Sequence, residues 1–230
     1  QETALEAIFA NGKRLIAVHA EDQARINQRR QEFAGITDPA IHSQIQDNQA
    51  ALNATKLALE LSKKYQRRLH ILHMSTGEEA ELMRQDKPLW VTCEVTPQHL
   101  VLNTDAYEKI GTLAQMNPPL RSHHDNEVLW QALLDGVIDF IATDHAPHTL
   151  EEKAQTYPNS PSGMPGVETS LPLMLTSSKL DVYRRGKGLW DTQKGSDRTW
   201  LRCRFSAGRL EQLPPRFTRR ITDKMPLESL

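Results

Sequence analysis

Up to about residue 175 the chain alternates regularly between two hydrophobic periods. Residues 2–11 (ETALEAIFAN) place apolar side chains at helical spacing, and Gly12 follows as a C-cap signal. Residues 14–19 (RLIAVH) form a short apolar run that reads as a buried strand. The Ala-, Leu-, Gln- and Lys-rich stretch 39–65 is periodic throughout and predicts one long helix. Residues 68–73 (RLHILH) are a second strand, and 75–79 (STGEE) open the next helix. A third strand is expected over 89–95 (LWVTCEV), a helix over 125–136 and a fourth strand over 137–142 (VIDFIA).

Strands separated by helices predict parallel βα units in an α/β fold. Four such units leave two architectures open, a doubly wound sheet or half of a (β/α)8 TIM barrel. Three of the four strands end in a metal-capable side chain: His19, His73 and Asp144. Barrel enzymes gather their chemistry at the carboxyl ends of their strands, and this pattern repeats that arrangement. A nitrogen, nitrogen and oxygen set suits Zn2+ with open coordination positions. Such an ion lowers the pKa of its water towards neutrality, and a neighbouring carboxylate can move the proton. Asp144 is thus expected to be both ligand and general acid/base.

Composition narrows the class further. With 38% hydrophobic and 25% charged residues the chain reads as a globular protein. No apolar run approaches the ~20 residues of a membrane span, and nothing at the amino terminus resembles a signal peptide. Cys93 and Cys203 form neither a disulfide framework nor a CxxC knuckle, so a reducing cytoplasm is expected. Charge is uneven. Residues 179–230 hold 13 basic and 6 acidic side chains, against 15 basic and 23 acidic before them. All nine histidines fall at or before His148.

Several phrases then identify a family. HAED at His19, HMST at His73, VTCEVTPQHL at Val91, MNPPLR at Met116, ATDHAPHTLEEK at Ala142 and GMPGVETSLPLML at Gly163 resemble the second half of a dihydroorotase. Dihydroorotases are metal-dependent (β/α)8 barrels of the amidohydrolase superfamily. The resemblance implies that His19 and His73 are ligands from the fifth and sixth strands, and that Asp144, after the eighth, is ligand and proton shuttle. It implies that Asn117 and His148 contact the substrate and that the backbone from Gly163 to Gly166 closes the pocket. Asn117 and the residues after Asp144 favour dihydroorotase over hydantoinase or allantoinase. The implied reaction is reversible hydrolysis of dihydroorotate to N-carbamoyl-aspartate, a step of pyrimidine synthesis, with two Zn2+ in the complete site. The implied partner is a small-molecule substrate, not a nucleic acid or a membrane.

The same resemblance implies parts not seen in this sequence: an HxH pair with an arginine on the first strand, and a carboxylated lysine or substitute acid on the fourth. No HxH precedes His19. Residues 1–175 are therefore expected to be a partial barrel, strands five to eight, with at most a partial metal site. Alone it should be inactive, in need of an oligomeric or missing-half partner. A non-catalytic scaffold subunit is the rival reading.

The other polar candidates have plainer expectations. His42 and His70 read as surface or packing residues, His99 as structural, and His123 and His124 as loop residues before a helix. Residues 151–153 read as a loop or helix turn, and His145 as a group orienting Asp144. Residues 176–230 show no convincing period. Read one base along, permitted synonymous codons let this segment spell VVNWMSTAVAKAYGIP, KGAIAPGYDADLVLVDL and LREELLTKCRWSPF, which resemble the family's carboxyl terminus in order. The segment is therefore expected to be a disordered tail translated out of frame rather than a nucleic-acid-binding one.

Overall fold

A computed structural model describes residues 2–176. The expectations for 177–230, including the shifted frame and the disordered tail, lie outside the described residues. In chain order the elements are α1 (Glu2–Ala10), β1 (Ile16–Val18), α2 (Gln23–Glu32), a 3-10 turn (Pro39–Ile41), α3 (His42–Ile45), α4 (Asn48–Tyr65), β2 (Leu69–Met74), α5 (Gly77–Asp86), β3 (Val91–Val95), α6 (Pro97–Val101), α7 (Ala106–Ile110), a second 3-10 turn (Gly111–Ala114), α8 (His123–Leu134), β4 (Phe140–Ile141), α9 (Leu150–Lys153) and α10 (Ser170–Thr176).

The four strands make one sheet in the order β1-β2-β3-β4, and every pair is parallel. A doubly wound sheet reverses its strand order at a switch point. Among these strands there is no reversal, so the order is that of successive barrel units. The sheet does not close among the described residues.

Alternation along the strands divides the two faces. Leu69, Ile71, Val91, Cys93 and Val95 are fully buried and pack with Leu59 and Leu61 of α4, Ala80 and Met83 of α5, and Leu129, Trp130 and Leu133 of α8. Burying such side chains at ~25 cal/mol per Å² holds the helices on this face. The intervening residues form a polar layer on the other face. His70 lies between Thr92 Oγ1 at 2.8 Å and Glu94 Oε2 at 2.9 Å, with the Phe140 ring edge-on at 5.7 Å. His70 is thus neither a surface nor an apolar packing residue. It is a hydrogen-bonded member of the sheet's inner face.

β1, β3 and β4 are shorter than the runs that predicted them, whereas β2 keeps six residues, one position later than expected. The larger departure is at 39–65, which is not one helix. Gln46 leaves helical geometry (φ −99, ψ 66), and Asp47 then caps α4, its side chain accepting from Ala50 N at 3.0 Å. Arg25 of α2 holds the same carboxylate, Nε to Oδ1 at 2.8 Å and Nη2 to Oδ2 at 2.5 Å. Asp47→Ala removes a cap and a two-point arginine bond together. A loss on the order of 1–2 kcal/mol of unfolding free energy is expected. Urea denaturation measures it, and an unchanged midpoint would show that the break at Gln46 is fixed by something else.

Candidate active site

His19 follows β1 directly, His73 is the last residue but one of β2, and Asp144 is the third residue after β4. All three therefore stand at the carboxyl side of the sheet. The β2–β3 register shifts between Ile71 and Met74, and His73 within that step has φ 35. Bulges of this kind re-aim a side chain next to a site. The result is a direct meeting of rings: His19 Nδ1 lies 3.0 Å from His73 Nε2. Two imidazole nitrogens ~2.0–2.1 Å from one zinc ion at a tetrahedral angle stand roughly 3.3 Å apart, so this pair fits a shared ion.

The far side of His19 is also specified. Its Nε2 lies 2.9 Å from Glu21 Oε2, and the Glu21 side chain is only 4% exposed. A carboxylate there takes the Nε2–H and leaves the Nδ1 lone pair towards His73. The bond to Glu21 raises the His19 pKa; burial opposes it, and the charges of Glu21 and Asp144 add to it. Burial lowers the His73 pKa, and the neighbouring His19 lowers it further. His73 Nδ1 is buried with no partner. Glu21 is itself surrounded. Arg121 Nη2 is 3.9 Å from Oε1, and the Gln46 amide, turned nitrogen-first, donates to Oε2 at 2.7 Å.

Of His19, His73 and Asp144, which the sequence groups as three ligands, the structure brings two into contact. Only the two histidines meet. Among the described residues no group of three His, Cys, Asp or Glu side chains is placed to hold a metal ion. Topology supplies the reason: β1 and β2 are adjacent, whereas β3 separates β2 from β4. Strands lie ~4.8 Å apart, so the Asp144 loop begins about two spacings away from His73. Asp144 is exposed with φ 42, and its charge still acts on both rings.

Asn117 is exposed, and its Oδ1 lies 2.8 Å from His42 Nε2. The same His42 nitrogen is 3.1 Å from the Met116 carbonyl, so two acceptors place the proton on Nε2. Burial lowers the His42 pKa and keeps the ring neutral. His42, read from sequence as a surface or packing residue, is therefore the group that orients Asn117, leaving the amide Nδ2 to donate elsewhere. No local pattern reveals this contact across 75 positions. His99 is buried as a structural residue, with Nδ1 2.8 Å from Thr96 Oγ1 and Nε2 3.0 Å from the Pro118 carbonyl.

His148 is exposed, its Nε2 3.2 Å from the Ser162 carbonyl and its Nδ1 3.8 Å from Glu152. Gly163 (φ +146) backs directly onto Ala146, where an added Cβ would stand 2.6 Å from a carbonyl oxygen. At Gly166 a Cβ would meet the Thr143 carbonyl at 2.9 Å. Both glycines are thus required by close approach of the 142–149 and 162–167 loops. His145 joins these loops too, its Nδ1 accepting from Gly166 N at 3.0 Å and Val167 N at 3.3 Å. It therefore anchors the glycine loop and does not orient Asp144.

Glu21 is the partner of His19 that sequence reasoning passed over, although HAED contains it. Glu21→Gln keeps shape and removes the charge behind His19. A 10–100-fold fall in zinc affinity is expected, read by competition with a chromophoric chelator. Equal affinity in the variant would remove Glu21 from the site.

No family model matches the chain. It is 36% identical over 223 residues to a dihydroorotase of Methanosarcina mazei, a match covering 92% of this chain and 49% of that protein. It is 37% identical over 227 residues to a dihydroorotase of Methanosarcina acetivorans, covering 90% of this chain and 48% of that one. Both matches are long enough to run past residue 176 into the basic segment. Among solved structures it is similar to the L-hydantoinase (dihydropyrimidinase) of Arthrobacter aurescens, with a TM-score of 0.74 and 33% identity over 80% of this chain and 43% of that one. The chain spans about half the length of the curated relatives it matches.

Proposed function

We propose that this chain, a relative of the dihydroorotases that spans about half of their length, supplies one side of a metal-dependent site for opening and closing a cyclic amide. The substrate pair is dihydroorotate and N-carbamoyl-aspartate. The observation that carries the reading is the 3.0 Å approach of His19 Nδ1 to His73 Nε2 at the ends of adjacent parallel strands.

His19 and His73 would hold a divalent ion, of which zinc suits the imidazole pair, with Asp144 as the nearby oxygen donor. Such an ion supplies Lewis acidity and a water nucleophile at neutral pH. The chain's own groups do the rest. Asp144 takes a proton from the attacking water and returns it to the ring nitrogen as the C–N bond breaks, so the amide opens with one water consumed. Asn117, its oxygen held by His42, donates from Nδ2 to the substrate carboxylate or ring carbonyl. His148 faces the same ligand, and the close-packed backbone at Gly163 and Gly166 forms its wall. The remaining ligands come from outside the described residues, through a second half of the barrel in the same protein or in a partner.

No helix among the described residues is long and apolar enough to cross a membrane. Cys93 is a free, buried thiol whose pKa burial pushes up to about 12. A chain with that inert thiol and a small anionic substrate suits the cytoplasm. The likeness to a hydantoinase favours one rival, a different cyclic amide. Co-expression with the amino-terminal half of a dihydroorotase, followed by zinc loading, tests both. Dihydroorotate turnover by the complex and none by this chain alone is the expected result. Turnover of hydantoin without dihydroorotate would reassign the substrate, and full activity from this chain alone would end the half-site reading.

A further inference from the structure

Lys153 belongs to the ATDHAPHTLEEK phrase, yet the mechanism above leaves it unused. Its side chain lies inside the protein, 4% exposed. Among the described residues no carboxylate pairs with it. Instead Nζ donates to three backbone carbonyls: Gln115 at 2.9 Å, Pro161 at 2.9 Å and Gly163 at 3.2 Å. An ammonium has three N–H donors, and these three acceptors use all of them.

The three carbonyls belong to segments that carry the candidate ligand-contact groups. Gln115 stands two residues before Asn117. Gly163 lies against Ala146 and, through its missing Cβ, against His148 Nε2. Lys153 itself ends α9, whose N-cap Thr149 directly follows His148. Further bonds converge on the same point. Gly163 N donates to the Gln115 carbonyl at 3.0 Å, Gln115 Nε2 donates to the Ser160 carbonyl at 2.9 Å, and Thr112 Oγ1 donates to the Lys153 carbonyl. Without the cation, three carbonyl dipoles would face one another across a buried space, with nothing to offset their repulsion.

We propose that Lys153 is a positioning residue: its ammonium is an internal cation that fixes the Asn117 segment and the His148 segment at one separation, and the carbonyl cage around it is a site for a primary ammonium ion. The assignment deepens the dihydroorotase reading by saying what holds the substrate-contact residues, and it rests on that reading only for the identity of the ligand. Burial brings the ammonium down to about 8, so the charged form predominates at neutral pH.

The test is hydrogen exchange at Gly163, Ala146 and Gly166, whose amides donate to Gln115, Met164 and His145 respectively. It is run on the full chain without substrate, so its outcome is independent of the enzymatic reading. In Lys153→Ala these three amides are expected to exchange about tenfold faster or more, while β2 and β3 amides keep their rates. Ethylammonium should restore protection saturably. Tetramethylammonium, which has no N–H, should not. Lys153→Met, nearly isosteric and uncharged, should show the same local loss, and it decides the matter if the alanine variant does not fold. Unchanged protection in Lys153→Met would overturn the proposal. So would uniform acceleration across the sheet in Lys153→Ala with no rescue by ethylammonium.

Discussion

Replacing His73 by alanine is expected to weaken zinc binding by at least about 100-fold, because loss of an outer partner alone costs 10–100-fold and this change removes one of two imidazoles. The reason is geometric. His19 Nδ1 faces only His73 Nε2, and no third His, Cys, Asp or Glu among the described residues joins them in a ligand group. One remaining imidazole with an exposed carboxylate further off does not make a site. The fold should tolerate the change, since it removes a buried ring nitrogen, His73 Nδ1, that has no partner. Cobalt absorption or chelator competition measures the affinity, with thermal melting alongside. An alanine variant that binds as the parent does, or a parent that binds nothing, would remove the pair as a metal site.

Acid should destabilise the fold before its carboxylates titrate. His99 is buried, its Nε2–H donates to the Pro118 carbonyl, and burial lowers its pKa to about 3. An unfolded histidine titrates near 6.5. Between these values the unfolded chain binds the extra proton, so stability rises with pH through that window. It is fully present above about 6.5 and is lost as pH falls towards 3. At the acid end the loss attributable to His99 is on the order of 4 kcal/mol. His42, also lowered by burial, acts in the same direction. Urea midpoints between pH 7 and 5 give the slope, and His99→Gln should flatten it while keeping a donor towards Pro118. The same slope in the variant would show that His99 is not the group responsible.

The legible part of this protein was its local chemistry. Runs of six residues ending at or just before His19, His73 and Asp144 announced the strands and the end of the sheet where these side chains stand, because strand burial and strand ends are properties of contiguous residues. What escaped depends on distant partners. The stretch 39–65 contains nothing hostile to a helix at Gln46 and Asp47. There Asp47 serves as the cap of α4, and Arg25 reaches across to hold the same carboxylate. His42 looks like any helix histidine until Asn117 is placed against it, and Glu21 gains its meaning only when the Nδ1 of His19 is found facing His73. The three-ligand grouping was open to the same limit. Strand ends can be read one by one, but their spacing across the sheet depends on which strands are neighbours.

The left-handed backbone at His73 and Asp144 bears on how such a chain changes over generations. Neither residue is glycine, and both hold φ values that glycine adopts without cost and asparagine more readily than histidine. Survival of heat alone therefore favours replacing both positions. A library sorted for thermal persistence should shed His73 and Asp144 while Ile71 and Val95 stay, whereas one sorted for retained zinc should keep His73 at the expense of melting temperature. Comparing the two sorted pools separates what the fold tolerates from what the chemistry demands.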